Sequence, residues 1–116
     1  MLKTLLAAFL LTVGGITAAD VVVLDDSGAS VRLAQPARRI ITLAPHLVET
    51  LYAAGAGDKL VGTVQFSNYP ETAKKIRRVG SYALLDLEAV VALKPDLIIS
   101  WFSGNVPAHI DRLRAL

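Results

Sequence analysis

The stretch "DLEAVVALKPDLIISW", residues 86–101, restricts the fold more than any other part of the chain. Asp86 is of a type that caps helices. Leu87, Val90 and Val91 recur at helical spacing toward a core, and Lys94 stands where the negative helix end favours a cation. Pro95 forbids continuation, and Leu97 to Ser100 then has the length and apolar character of a buried strand. A helix stopped by proline and followed at once by a strand is half of a parallel β-α-β arrangement. The strand ends in Trp101, a large aromatic placed where the chain should be emerging into water.

The same alternation recurs upstream. Ile40-Ile41-Thr42-Leu43 is short and β-branched, and Pro45 follows where a helix can begin. "LVETLYAAGAG" sets Leu47, Val48, Leu51 and Ala54 on one helical stripe, with Gly55 at the C-terminal stop. Leu60 to Val64 is a second strand. "QFSNYPETAKKIRRVGSYALL" is a polar, proline-interrupted passage with one helical turn over 71–75, long enough to be a functional loop. "NVPAHIDRLRAL" opens a further helix with Ile110 and Leu113 at core spacing. Ahead of all this, Val21 to Leu24 and Val31 to Leu33 flank Asp25-Asp26-Ser27-Gly28, a small β-hairpin with the turn chemistry supplied. The predicted fold class is α/β, a parallel sheet flanked by helices and preceded by a hairpin. Ligands collect at the carboxyl ends of such sheets, which is where Trp101 and Phe66 fall. Trp101 is then either displayed on a rim or folded back as a lid on the core.

The first nineteen residues are set apart from this pattern. Lys3, the apolar stretch Leu5 to Val13, a Gly-Gly break and Thr17-Ala18-Ala19 are expected to be a secretory signal cleaved before Asp20, with an uncleaved anchor or a buried helix as the alternative; the apolar part is too short to span a membrane comfortably. The chain has no cysteine, so neither a lipid-attachment cysteine nor a disulfide framework is present. The expected location is the periplasm, in soluble form. Without Lys3 the rest carries eleven basic and ten acidic side chains, a balance that offers nothing to nucleic acid or to a membrane surface. Its length suits one lobe, residues 20–116.

His46 and His109 lack metal-ligand spacing, and a surface or capping role is the expectation for each; His46 follows a strand end, which leaves contact with a ligand or a haem iron as its alternative, whereas His109 is expected to be solvated. "GAGDKLVG" follows a helix and precedes a strand, the wrong context for a dinucleotide loop, so its glycines are a helix stop. Lys74, Lys75, Arg77 and Arg78 are read as a solvated stretch, with attraction of an anionic siderophore or phosphate as the alternative. No serine sits in a G-x-S-x-G elbow, and nothing in the spacing of Glu49 and Asp86 selects an acid–base pair over helix surface and helix cap. No catalytic residue, metal site or resident cofactor is assigned.

Taken together, "RIITLAPHLVETLYAAGAGDKLVG", "FSNYPE", "RVGSY", "DLEAVVALKPDLIISW" and "SGN" resemble, in order and spacing, the periplasmic binding proteins of the vitamin B12, haem and iron-siderophore ABC importers. The likeness covers Arg39 to Leu116 and matches the N-terminal lobe only; the "SWFSGN" ending and the aromatic before "SNYP" are most similar to the cobalamin-binding branch. The resemblance implies two α/β lobes holding a corrinoid in a cleft and delivering it to permease subunits. It implies that Phe66, Tyr82 and Trp101 line the ligand pocket, Tyr82 standing where the branch usually has tryptophan, and that Glu88 is the lobe-surface glutamate that meets the permease. Rigid aromatic faces suit a large, partly apolar macrocycle.

The expected function is therefore a non-enzymatic solute-binding component of an ABC importer for cobalamin, with haem or a ferric siderophore as the alternative ligand. A reading from a different class is an exported α/β enzyme whose catalytic half is missing. The chain is also expected to be truncated, one wall of a cleft, with weaker ligand binding and marginal solubility as consequences.

Overall fold

The computed structural model describes residues 20–116, and the expected signal, residues 1–19, lies outside the described residues. Two strands, β1 (Val21–Leu24) and β2 (Ser30–Leu33), form an antiparallel hairpin separate from the main sheet. The hairpin and its turn fall where the sequence predicts, and the turn is organised by Asp25. That carboxylate accepts the backbone N–H groups of Ser27 and Ala29 at 2.9 and 3.0 Å and the Ser27 hydroxyl at 2.6 Å.

The main sheet contains β3 (Ile40–Thr42), β4 (Leu60–Thr63), β5 (Arg77–Arg78) and β6 (Leu97–Ile99), in the order β5-β4-β3-β6. Every pairing is parallel. Helix α1 (Pro45–Ala53) connects β3 to β4, α2 (Leu87–Ala92) precedes β6, and α3 (Pro107–Arg114) follows it. Strand pleating sends neighbouring residues of β3 to opposite faces. Ile40 packs with Val48 and Leu51 of α1, whereas Ile41 packs with Val90 of α2 and with Ile110 and Leu113 of α3. Both faces of the sheet are covered, which is why β3 is an unbroken buried run.

The helix ends follow the sequence closely. α1 stops in a Schellman arrangement: Gly55 takes a φ of +81°, its N–H bonds the Tyr52 carbonyl at 3.1 Å, and the Ala56 N–H reaches Leu51 O at 2.8 Å. Asp86 caps α2, its carboxylate accepting the Ala89 N–H at 3.0 Å.

Several expectations are corrected. Val91 is 52% exposed and Ala54 is exposed as well. α2 is only six residues long, and at 100° per residue Val91 lies past the edge of the stripe that Leu87 and Val90 present to the sheet. The cation hydrogen-bonded to the end of α2 is Arg39, whose guanidinium donates to Leu93 O at 2.9 and 2.7 Å; Lys94 follows the last turn with φ +49°. Arg78 is not part of a solvated run. It belongs to β5 and donates to the carbonyls of Ala73 and Ser67 at 3.1 and 2.7 Å, fastening the loop before it. His109 is half-buried, with Nδ1 buried and unpartnered. Among the described residues no helix is long and apolar enough to cross a membrane.

Candidate functional site: an aromatic rim on the carboxyl edge of the sheet

Strands β4 and β5 lie to one side of β3 and β6 to the other, so the loops leaving β3 and β6 diverge and open a crevice between them. Trp101 follows β6, and His46 lies in the first turn of α1 just beyond β3. Their ring centroids are 5.2 Å apart at 81°, an edge-to-face contact across the crevice. Tyr82, on the loop between β5 and α2, joins from the same side, 6.4 Å from Trp101 at 61°. Trp101 retains 39% of its exposure and Tyr82 49%. Of the two placements open to Trp101, the rim is the one observed.

Trp101 lies directly on Gly104. A Cβ at that position would stand 1.9 Å from Cε3 and 2.2 Å from Cδ2 and Cζ3 of the indole, so only glycine leaves room for the ring. The S-G-N tripeptide therefore positions the aromatic that precedes it.

Beneath the rim, the Asn105 side chain joins three strand ends. Its Oδ1 accepts the Trp101 N–H at 2.6 Å, and its Nδ2 donates to Leu43 O at 2.8 Å and to Tyr82 O at 3.2 Å. A second buried polar system supports the remaining loop. The hydroxyls of Thr42, Thr63 and Ser67 form a chain with 3.0 Å links, tying β3 to β4 and to the residue after Phe66.

Phe66 is 73% exposed and adopts φ +69°, a left-handed conformation that bulky side chains resist. It is held there by neighbours on both sides: the Gln65 N–H bonds Gly80 O at 2.8 Å, and the Asn68 N–H bonds the Phe66 carbonyl at 3.0 Å. The strand-end loop thus fixes an aromatic in the open where its own backbone preference would not.

The three aromatics singled out in the sequence all lie on loops at the carboxyl edge, with Tyr82 and Trp101 in contact and Phe66 on the neighbouring loop. Tyr69, Leu84 and Phe102 are also exposed on these loops and escaped the sequence reading, although Phe102 sits inside the quoted "SWFSGN". Glu88 lies elsewhere, on the first turn of α2, where it shares a shallow depression of about 420 Å³ with Leu87, Val91, Ala92 and Arg112. A larger groove, about 610 Å³, runs between the hairpin, α2 and β6 and contains none of the rim aromatics. Volume alone does not choose between the surfaces, but the convergence of strand ends and aromatic rings does. Glu49 and Asp86 form no acid–base pair, since Asp86 is committed to its cap. Among the described residues no three His, Cys, Asp or Glu side chains are gathered to hold a metal.

A parallel α/β sheet whose carboxyl edge carries a fixed aromatic wall has the architecture of a lobe from a two-lobed binding protein. The family model described as "Periplasmic binding protein" matches residues 40–115, and the chain belongs to that family. A vitamin B12-binding protein from Vibrio vulnificus (strain CMCP6) is 49% identical over 80 residues, 69% of this chain and 29% of the relative. The crystal structure of the periplasmic vitamin B12 binding protein BtuF of Vibrio cholerae superposes with a TM-score of 0.66 at 49% identity, covering 69% of this chain and 31% of that one. A periplasmic heme binding protein from Pseudomonas aeruginosa superposes with a TM-score of 0.64 at 30% identity, covering 69% and 29%. The chain spans about three tenths of the length of the curated relatives it matches.

Proposed function

We propose that the chain is the N-terminal lobe, residues 20–116, of a periplasmic solute-binding component of an ABC importer, with cobalamin as its ligand. In this reading residues 1–19 are the cleaved export signal, and Phe66, Tyr82 and Trp101 form one wall of the pocket. The observation that carries it is the Tyr82–Trp101 pair at the sheet crevice, in a chain 49% identical to vitamin B12-binding proteins over its α/β part. Such faces lose little conformational entropy when a macrocycle stacks on them. Glu88, exposed beside Val91 and Arg112, is the proposed contact to the permease. The chain has a binding role rather than a catalytic one.

Trp101 is the sole tryptophan, so intrinsic fluorescence reports on the proposed wall alone. Titration with cyanocobalamin, corrected for absorption of the exciting and emitted light, is expected to give saturable quenching. Calorimetry should then find the affinity reduced at least tenfold by Trp101→Ala, the loss expected when a central aromatic anchor is removed. Absence of saturable quenching would overturn the cobalamin reading.

Haem is a second reading, favoured by the exposed His46 imidazole against Trp101 and by the similarity to a heme binding protein. It requires a Soret shift with hemin that disappears in His46→Ala.

A further inference from the structure

We propose that Asn105 is the positioning residue of the ligand wall: one buried amide that sets the relative placement of Trp101, Tyr82 and the β3 end that leads to His46. This rests on the reading of the rim as a binding surface and identifies what gives that surface its shape.

Three observations carry it. Asn105 is buried, and its amide has a single orientation that satisfies its surroundings, with the oxygen toward the Trp101 N–H and the nitrogen toward the carbonyls of Leu43 and Tyr82. Those partners lie 4, 62 and 23 residues away in sequence. The backbone ladder between β3 and β6 ends at the Leu43 N–H, which bonds Ile99 O at 3.0 Å, and the amide extends that link to Trp101 and Tyr82. The loop is also closed on itself, since the N–H groups of Gly104 and Asn105 both reach Trp101 O, at 3.1 and 2.9 Å. The amide is therefore buried against the backbone that carries the aromatic, with its polar atoms spent on Trp101, Leu43 and Tyr82. Asparagine is the fitting residue because the position needs one acceptor and two donors from a short side chain. Aspartate has nearly the same shape but would turn an oxygen toward two carbonyls.

The test uses Asn105→Ala, Asn105→Ser and Asn105→Asp, with Trp101 as the probe. Expected in the free protein, well below its melting temperature, are lower Trp101 anisotropy and greater quenching by acrylamide. Cyanocobalamin affinity should fall about tenfold or more, because a loosened wall must be ordered on binding. Asn105→Asp should be worse than Asn105→Ser. In a Trp101→Ala background, Asn105→Ala should cost affinity far less than it does alone, since its effect runs through the ring it no longer holds.

A residue that merely supports the fold would lower the melting temperature and leave the anisotropy and affinity of the folded variant unchanged; that outcome overturns the proposal. Hydrogen exchange on the unsubstituted chain covers the case in which the variants do not fold. The Trp101 amide should be protected well beyond its random-coil rate, and exchange at that rate overturns the proposal too. If the unsubstituted chain takes up no cyanocobalamin, the ligand reading fails, while anisotropy and exchange still decide the role of Asn105.

Discussion

Replacing Gly104 by alanine isolates the seat of the indole. Gly104 does not use a left-handed φ, so alanine is acceptable to the backbone, and the whole effect comes from one methyl group placed 1.9 Å from Trp101 Cε3. Carbon atoms settle at roughly 3.5–4.0 Å, so the ring must withdraw by about 1.5–2 Å. Two terms set the magnitude. Forcing a methylene-sized group into a packed contact costs about 1–3 kcal/mol, and loss of glycine's freedom in the unfolded chain returns about 0.4–1 kcal/mol. A net destabilisation of about 1–2 kcal/mol corresponds to a melting temperature lower by roughly 5–15 °C for a domain of this size. Because Trp101 is already part-exposed, the ring can relieve the clash by swinging toward solvent, so its emission should move to the red and acrylamide should quench it more strongly. Thermal melting by circular dichroism, with the emission spectrum recorded on the same samples, checks both. Unchanged emission and unchanged melting in Gly104→Ala would refute the argument that glycine is there to seat the indole.

Other perturbations test the supports of the rim and the opposite end of the sheet. Thr63→Val removes the middle member of the buried hydroxyl chain and strands Thr42 and Ser67, so urea unfolding should show a loss of about 1–3 kcal/mol. Thr42→Val leaves the Thr63–Ser67 link intact and should cost less. Phe66→Gly removes a bulky residue from a left-handed conformation; with strain of order 1 kcal/mol relieved and a similar entropy cost added, stability should stay within about 1 kcal/mol. Cobalamin affinity should nonetheless fall in the same calorimetric assay. At the amino end of the sheet, burial would raise the Asp96 carboxyl, but the backbone N–H groups of Arg38 and Arg39 outweigh it and hold the carboxyl below its ordinary value. Asp96 therefore contributes stability that is fully present above the ordinary carboxylate pKa of about 3.9 and is lost as pH falls through the lower folded value. The stability gap between the natural chain and Asp96→Asn should be constant above about pH 5 and close below it, as measured by urea unfolding across that range.

What could be read from the sequence was whatever is encoded locally. Pro45, Gly55, Asp86 and Pro95 mark helix boundaries through backbone constraints that act within a few residues, and the structure keeps them all. Phe66 and Trp101 fall at strand ends for the same reason, because a strand followed by an aromatic needs no tertiary information to locate, whereas Tyr82 is legible only through the family resemblance, since β5 before it leaves no strand signal. The misses share a different cause. Arg39 caps a helix 54 residues downstream, Asn105 reaches Leu43 across 62 residues, and the two-residue β5 exists only because β4 is beside it. None of these leaves a periodic trace. Val91 was misplaced because hydrophobicity alone does not tell how many residues of a short helix the sheet can cover.

The two buried polar systems meet on β3, and that junction explains how a rim of separate loops can act as one surface. Thr42 points its hydroxyl into the chain that leads through Thr63 to Ser67, beside Phe66. The next residue, Leu43, offers its carbonyl to Asn105 and its N–H to Ile99 O at 3.0 Å. Consecutive residues on one strand thus hold the Phe66 loop on one side and the Trp101 and Tyr82 loops on the other. A rigid strand end is a better common anchor than direct contact among the aromatics, whose mutual attraction is only about 0.5–1.5 kcal/mol and whose faces must stay open for a ligand. The buried and mutually satisfied groups below the rim carry the geometry, which leaves the exposed rings above it free for the proposed recognition.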